Sequence, residues 1–146
     1  MVILTDLDGR EYQHENDSSA MESLEKTPGL KKITNLIVEN GYEKWLQVQL
    51  KGSFLLVTKS NIPELVNVLE QCCTTLGQEK IPPLYLHHSV GVEASVVGAE
   101  APLICANSFA VDYLTDTELN FLIGRQIGHI KSGHCFFSMM ASMDYC

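Results

Sequence analysis

An α+β fold, a small mixed sheet packed on helices, is predicted by three features of the sequence. Apolar residues recur at i, i+3 and i+4, most clearly in Leu119, Leu122, Ile123, Ile127 and Ile130. Short runs rich in Val, Ile, Leu and Phe near 53–58, 83–87, 92–97 and 102–105 have the length and composition of strands. Turn formers such as Asp8-Gly9, Asn40-Gly41 and Pro82-Pro83 punctuate these segments.

In chain order, residues 1–15 hold a short apolar start and a turn. A helical pattern follows from Asn16 to Lys26, with Ala20, Met21 and Leu24 on one face. Pro28 opens a second helix with the stripe Leu30, Ile33, Leu36 and Ile37, closed by Asn40-Gly41. Residues 42–50 add a helical turn or two around Trp45 and Leu46. After the strand at 53–58, Asn61 and Glu64 suggest a cap, with Pro63 in the first turn of a helix over 62–76. Thr115-Asp116-Thr117-Glu118 has the Thr-x-x-Glu form of a capping box and starts a helix that Gly133 stops. The tail from Cys135 is rich in Met and Phe. It is expected to be helical and to cover its own domain or a second copy, in a homodimer.

The 146 residues fit a single domain over 1–146, long enough to bury roughly two thirds of the unfolded surface. Eighteen acidic residues against ten basic ones give a net charge of −8. Nucleic-acid binding needs clustered cations, so no nucleic-acid partner is expected, and an anionic membrane surface is disfavoured likewise. The longest apolar runs fall short of the roughly 18 residues of a membrane span, and no signal peptide is visible. Cys72, Cys73, Cys105, Cys135 and Cys146 form no disulfide framework, so reduced thiols and a cytoplasmic location are expected.

The informative stretch is Leu114-Thr115-Asp116-Thr117-Glu118-Leu119 followed by Ile123-Gly124-Arg125-Gln126-Ile127-Gly128-His129-Ile130-Lys131-Ser132-Gly133-His134. It resembles the zinc helix of the HtpX heat-shock protease and CAAX prenyl protease family, gluzincin-type metallopeptidases. These read L-T-x-x-E-L and then H-E-[IL]-G-H-[IV]-x-x-x-H. Looser likenesses lie at His14 to Asp17, Phe54 to Thr58, Pro63 to Gly77, Pro83-Leu84-Tyr85 and Pro102-Leu103-Ile104. The resemblance implies a zincin-type active-site helix in a metallopeptidase-like domain. In that family two His at i and i+4 bind zinc, the neighbouring Glu takes a proton from the metal-bound water, and a Glu on a later helix completes the site.

This sequence departs where the chemistry sits. Arg125 stands at the first ligand and has no lone pair to give a metal. Gln126 stands at the general base and cannot accept a proton at neutral pH. His129 alone is kept, as a residual, weak ligand or an ordinary helix histidine. The chain also stops before a downstream ligand helix, so a domain truncated at its C-terminus is expected. No cofactor is expected here, although zinc serves the family. The reading is a catalytically inactive pseudopeptidase that binds a peptide or protein. The alternative is an active zinc metalloendopeptidase whose remaining ligands lie outside this chain.

For the peptide groove the sequence points to an edge strand at Gly98 to Cys105, with Gly98, Pro102, Leu103 and Ile104 lining it. Other candidates have plainer readings. Gly124 and Gly128 suit close helix packing. Arg125 either pairs with a carboxylate or extends to solvent. Cys72-Cys73 fit core filling, His87-His88 the surface, and His134-Cys135 with Cys146 lack metal-site spacing.

Overall fold

The computed structural model describes residues 41–133, together with Ser23 and Lys26. The expected helices at 16–26 and 28–40, the His14 to Asp17 likeness, His134 and the tail from Cys135 lie outside the described residues, apart from Ser23 in a helical turn and Lys26 in a turn. The architecture is α+β, as the periodicities predict. Helix α1 spans Tyr42–Ser53, strand β1 Leu55–Leu56, helix α2 Pro63–Thr75 and strand β2 Leu84–His87. Strand β3 spans Ala94–Val97, strand β4 Leu103–Asn107, helix α3 Ser108–Tyr113 and helix α4 Asp116–Lys131.

The four strands form one mixed sheet in the order β1-β2-β4-β3. β1 runs antiparallel to β2, β4 lies parallel to β2, and β3 lies antiparallel to β4. All five residues of β4 are buried, as expected of a strand hydrogen-bonded on both sides and covered on both faces.

Alternation along the strands sends side chains to two layers. Leu84, Leu86, Ile104 and Ala106 face α2 and α4, where they meet Leu65, Leu69, Cys72, Cys73, Leu119, Ile123 and Ile127. Tyr85, Leu103 and Cys105 face the other way, onto Leu50 and Phe54 at the end of α1. The sheet is therefore sandwiched between α1 and the α2–α4 pair.

Two sequence signals act as expected. The capping box is complete: Glu118 N donates to Thr115 Oγ1 at 3.4 Å, and Thr115 N donates to Glu118 Oε2 at 2.9 Å. The two bonds from Thr115 also hold the Glu118 carboxyl below its usual range. At the other end of α4, Gly133 takes φ +70°, which terminates the helix.

Three elements differ from expectation. Helix α1 continues through Lys51, Gly52 and Ser53, so the strand expected at 53–58 shrinks to Leu55–Leu56. Asn61 does not cap α2, whose N-cap is Ile62. Its side chain instead accepts from Thr58 N at 2.7 Å and donates to Leu56 O at 2.7 Å, closing the turn after β1. Helix α3 was not signalled by periodicity, because six residues are too few to display one.

Candidate functional site

Helix α4 carries the residues singled out by the zinc-helix likeness. Its sheet-facing side is Leu119, Ile123 and Ile127, all buried, together with Gln126 at 2% exposure. One flank meets α2: Cys72 Sγ lies 3.4 Å from Asn120 O, and Lys131 Nζ donates to Leu76 O at 2.5 Å. Helical spacing puts Arg125 and His129, one turn apart, on the opposite flank. Helix α4 packs against β3 as well as α2, so that flank lies toward the β3 edge of the sheet.

Arg125 is exposed and His129 is half-buried. Gln126 turns inward, and its Nε2 donates to Leu122 O at 3.4 Å, a neutral amide occupied by its own helix. These side chains do not fit a zinc ion. Arg125 is a permanent cation without a donor lone pair, and Gln126 has no basic oxygen. Among the described residues, no three His, Cys, Asp or Glu side chains cluster closely enough to hold a metal.

The groove expected at 98–105 is placed differently. Leu103 and Ile104 belong to β4, which is paired on both sides, so they offer no free edge. They also point to opposite layers, Ile104 toward α2 and α4 and Leu103 toward α1. Pro102 borders a different feature, a cleft of about 210 Å³ shared with Lys51, Lys80, Pro82, Pro83 and Ala101. The strand at the sheet edge beyond β4 is β3. The bond from Asn107 N to Glu93 O fixes its phase, so Ser95 and Val97 bond to β4 while Ala94 and Val96 turn their backbone groups outward. No described strand pairs with that outer side.

Gly98 has a packing role that sequence reasoning missed. Two polar side chains of α1, Glu43 and Gln47, are buried against the β3–β4 turn. Glu43 Oε1 accepts from Ala101 N at 3.3 Å, and Gln47 Nε2 donates to Ala101 O at 2.8 Å and to Glu43 Oε1 at 3.2 Å. Gly98 sits under this pair at φ +97°, where a Cβ would lie 2.7 Å from Glu43 Oε1. By contrast, a Cβ at Gly124 would make an ordinary 3.8 Å contact with Cys72 Sγ, so no crowding demands glycine there.

Asn107 is the second residue that was missed. It is fully buried at the end of β4. Its Oδ1 caps α3 by accepting from Ala110 N at 3.1 Å and also accepts from Glu93 N at 3.3 Å. Its Nδ2 donates to Ser89 Oγ at 3.2 Å and to Gly91 O. The available signal was an Asn directly after an apolar run, a common N-cap position.

The remaining candidates are structural. Cys72, Cys73 and Cys105 are buried free thiols, and burial pushes Cys73 and Cys105 up to about 11. They stay protonated and are poor nucleophiles. His87 stacks on Phe54 with centroids 4.8 Å apart, and His88 Nδ1 lies 3.4 Å from Ser108 Oγ.

The chain is 24% identical over 135 residues to plastoglobule-localized metallopeptidase 48, chloroplastic, of Arabidopsis thaliana. That alignment covers 91% of this chain and 39% of the relative, so the chain spans about two fifths of the relative's length. No family model matches the chain. No solved structure matches it either. The match supports a metallopeptidase-like relationship for this chain. No described helix is long and apolar enough to cross a membrane.

Proposed function

We propose that this chain is a non-catalytic metallopeptidase-like domain of the HtpX and CAAX-protease type, which binds extended peptide without cutting it. The observation that supports this reading is the state of helix α4. The positions that would hold the first metal ligand and the general base carry Arg125, which is exposed, and Gln126, which is buried and bonded to Leu122 O. Loss of a general base alone typically lowers a rate by about 10²–10⁴. Loss of the metal also removes the activated water. Peptide binding by strand addition needs only backbone groups, and β3 presents those of Ala94 and Val96 next to the altered helix.

The purified protein is expected to hold far less than one zinc per chain, with no change on His129→Ala. Chelator-sensitive cleavage of casein should be absent. Added unfolded peptide should slow hydrogen exchange at the Ala94 and Val96 amides. One zinc per chain that disappears with His129→Ala, together with chelator-sensitive proteolysis, would make the protein a working peptidase and end this reading.

A further inference from the structure

The two ends of the sheet differ in charge. Between Lys80 and Arg125 the sequence contains no Lys or Arg, but it contains Glu93, Glu100, Asp112, Asp116 and Glu118. Because β2 and β4 are parallel, the loop after β2 and helix α3 after β4 emerge at the same end of the sheet. Of the five carboxylates, Glu93, Asp112 and Asp116 lie in or beside these segments, and Glu118 follows in the first turn of α4. All four are exposed. No described cation pairs with any of them.

The same end exposes apolar side chains. Val90 is 93% exposed, Val92 51% and Tyr113 71%. Phe109, half-buried, stacks on the exposed Tyr113 with ring centroids 4.0 Å apart, so the two rings form one block on α3. The inner side of α3 is used differently, with Ala110 buried and Val111 and Leu114 packed on the core. Nor is the valine loop loosely tethered. Asn107 holds Ser89, Gly91 and Glu93 of the loop and Ala110 of α3 through a single side chain. The four apolar groups are therefore presented in a fixed relation, which lowers the ordering cost of binding.

We propose that this end of the sheet is a docking surface for a basic amphipathic segment of a partner protein. Val90, Val92, Phe109 and Tyr113 supply the apolar contact, and Glu93, Asp112, Asp116 and Glu118 face the partner's Lys or Arg. An apolar centre with a rim of one charge sign selects a segment with apolar residues on one face and cations beside them. An anionic lipid surface would be repelled by the same rim. The surface lies at the opposite end of the sheet from the β3–β4 turn and does not depend on the peptidase reading.

The test is fluorescence anisotropy with a labelled Leu/Lys amphipathic peptide and a matched Leu/Glu peptide. The first should bind and the second should not. Val90→Ser with Tyr113→Ser changes no charge and only exposed side chains, and should weaken binding at least about tenfold. Asp112→Lys with Asp116→Lys should weaken it comparably. Glu79→Lys with Glu100→Lys makes the same change in net charge at the far end, and should leave affinity within about twofold. Circular dichroism confirms folding of each variant. Equal losses in both charge-reversed variants, or no loss in the Val90/Tyr113 variant, would overturn the proposal. So would failure of the Leu/Lys peptide to bind while phosphatidylcholine vesicles do, or a dimer that the Val90/Tyr113 variant dissolves.

Discussion

Gly98→Ala should destabilise the protein by about 2–4 kcal/mol. Two costs combine. The backbone at φ +97° is one that residues with a Cβ rarely adopt. The new methyl would also lie 2.7 Å from Glu43 Oε1, 2.8 Å from Gln47 Nε2 and 3.1 Å from Ala101 O. Neither side chain can retreat freely, since each is tied to the 100–101 backbone. Moving them would leave a buried carboxylate and the 100–101 peptide groups short of partners. Urea denaturation at neutral pH reads the change directly. A loss below about 0.5 kcal/mol would show that the turn and α1 are not coupled in this way.

Asn107→Ala should cost a comparable amount, about 2–4 kcal/mol, for a different reason. The substitution creates little strain but removes one amide that serves Ala110 N, Glu93 N, Ser89 Oγ and Gly91 O. Asn107→Asp separates the two halves of that role. It keeps an acceptor for the two N–H groups but loses the donor to Ser89 and Gly91, so it should be milder than Ala on α3 while freeing the 89–93 loop. Thermal unfolding gives the total loss. Hydrogen exchange at Glu93 and Ala110 shows which contact failed, and unchanged exchange at both amides in Asn107→Ala would refute the assignment.

Much of the fold was legible in the sequence because it rests on local signals. The 3.6-residue stripe of α4, its Thr115–Glu118 box and the stop at Gly133 are each contained within a few residues. Pro63 marks the start of α2 in the same way. Strand order was not legible, because a hydrogen-bonded neighbour leaves no mark in sequence spacing. The one clue was that Leu103 to Ala106 has no polar alternation, which fits a central strand better than the edge expected there. The short helix α3 lacked enough turns for a period, and its one local signal, the cap residue Asn107, was missed. In the candidate site, Arg125, Gln126 and His129 were singled out through the zinc-helix resemblance, and helical spacing then placed Arg125 and His129 one turn apart. The placement of Gly98 was not legible, because it depends on Glu43 and Gln47 more than fifty residues away.

The sheet order also has a consequence for biosynthesis. β2 and β3 are not neighbours; β4 is inserted between them and bonds to both. A chain made from its N-terminus can form α1, α2 and the β1–β2 pair early, but the full sheet must wait for residues 103–107 to leave the ribosome. Until then β2 lacks its largest partner, and the Leu65, Leu69, Cys72 and Cys73 face of α2 waits longer still, for α4. Nascent chains stalled just before residue 103 emerges should therefore be digested readily by protease. Chains stalled after the whole of α4 has emerged should resist it. Translation of residues 103–131 would be the event that commits this protein to its native topology, and a pause or chaperone acting in that interval would matter more than one acting earlier.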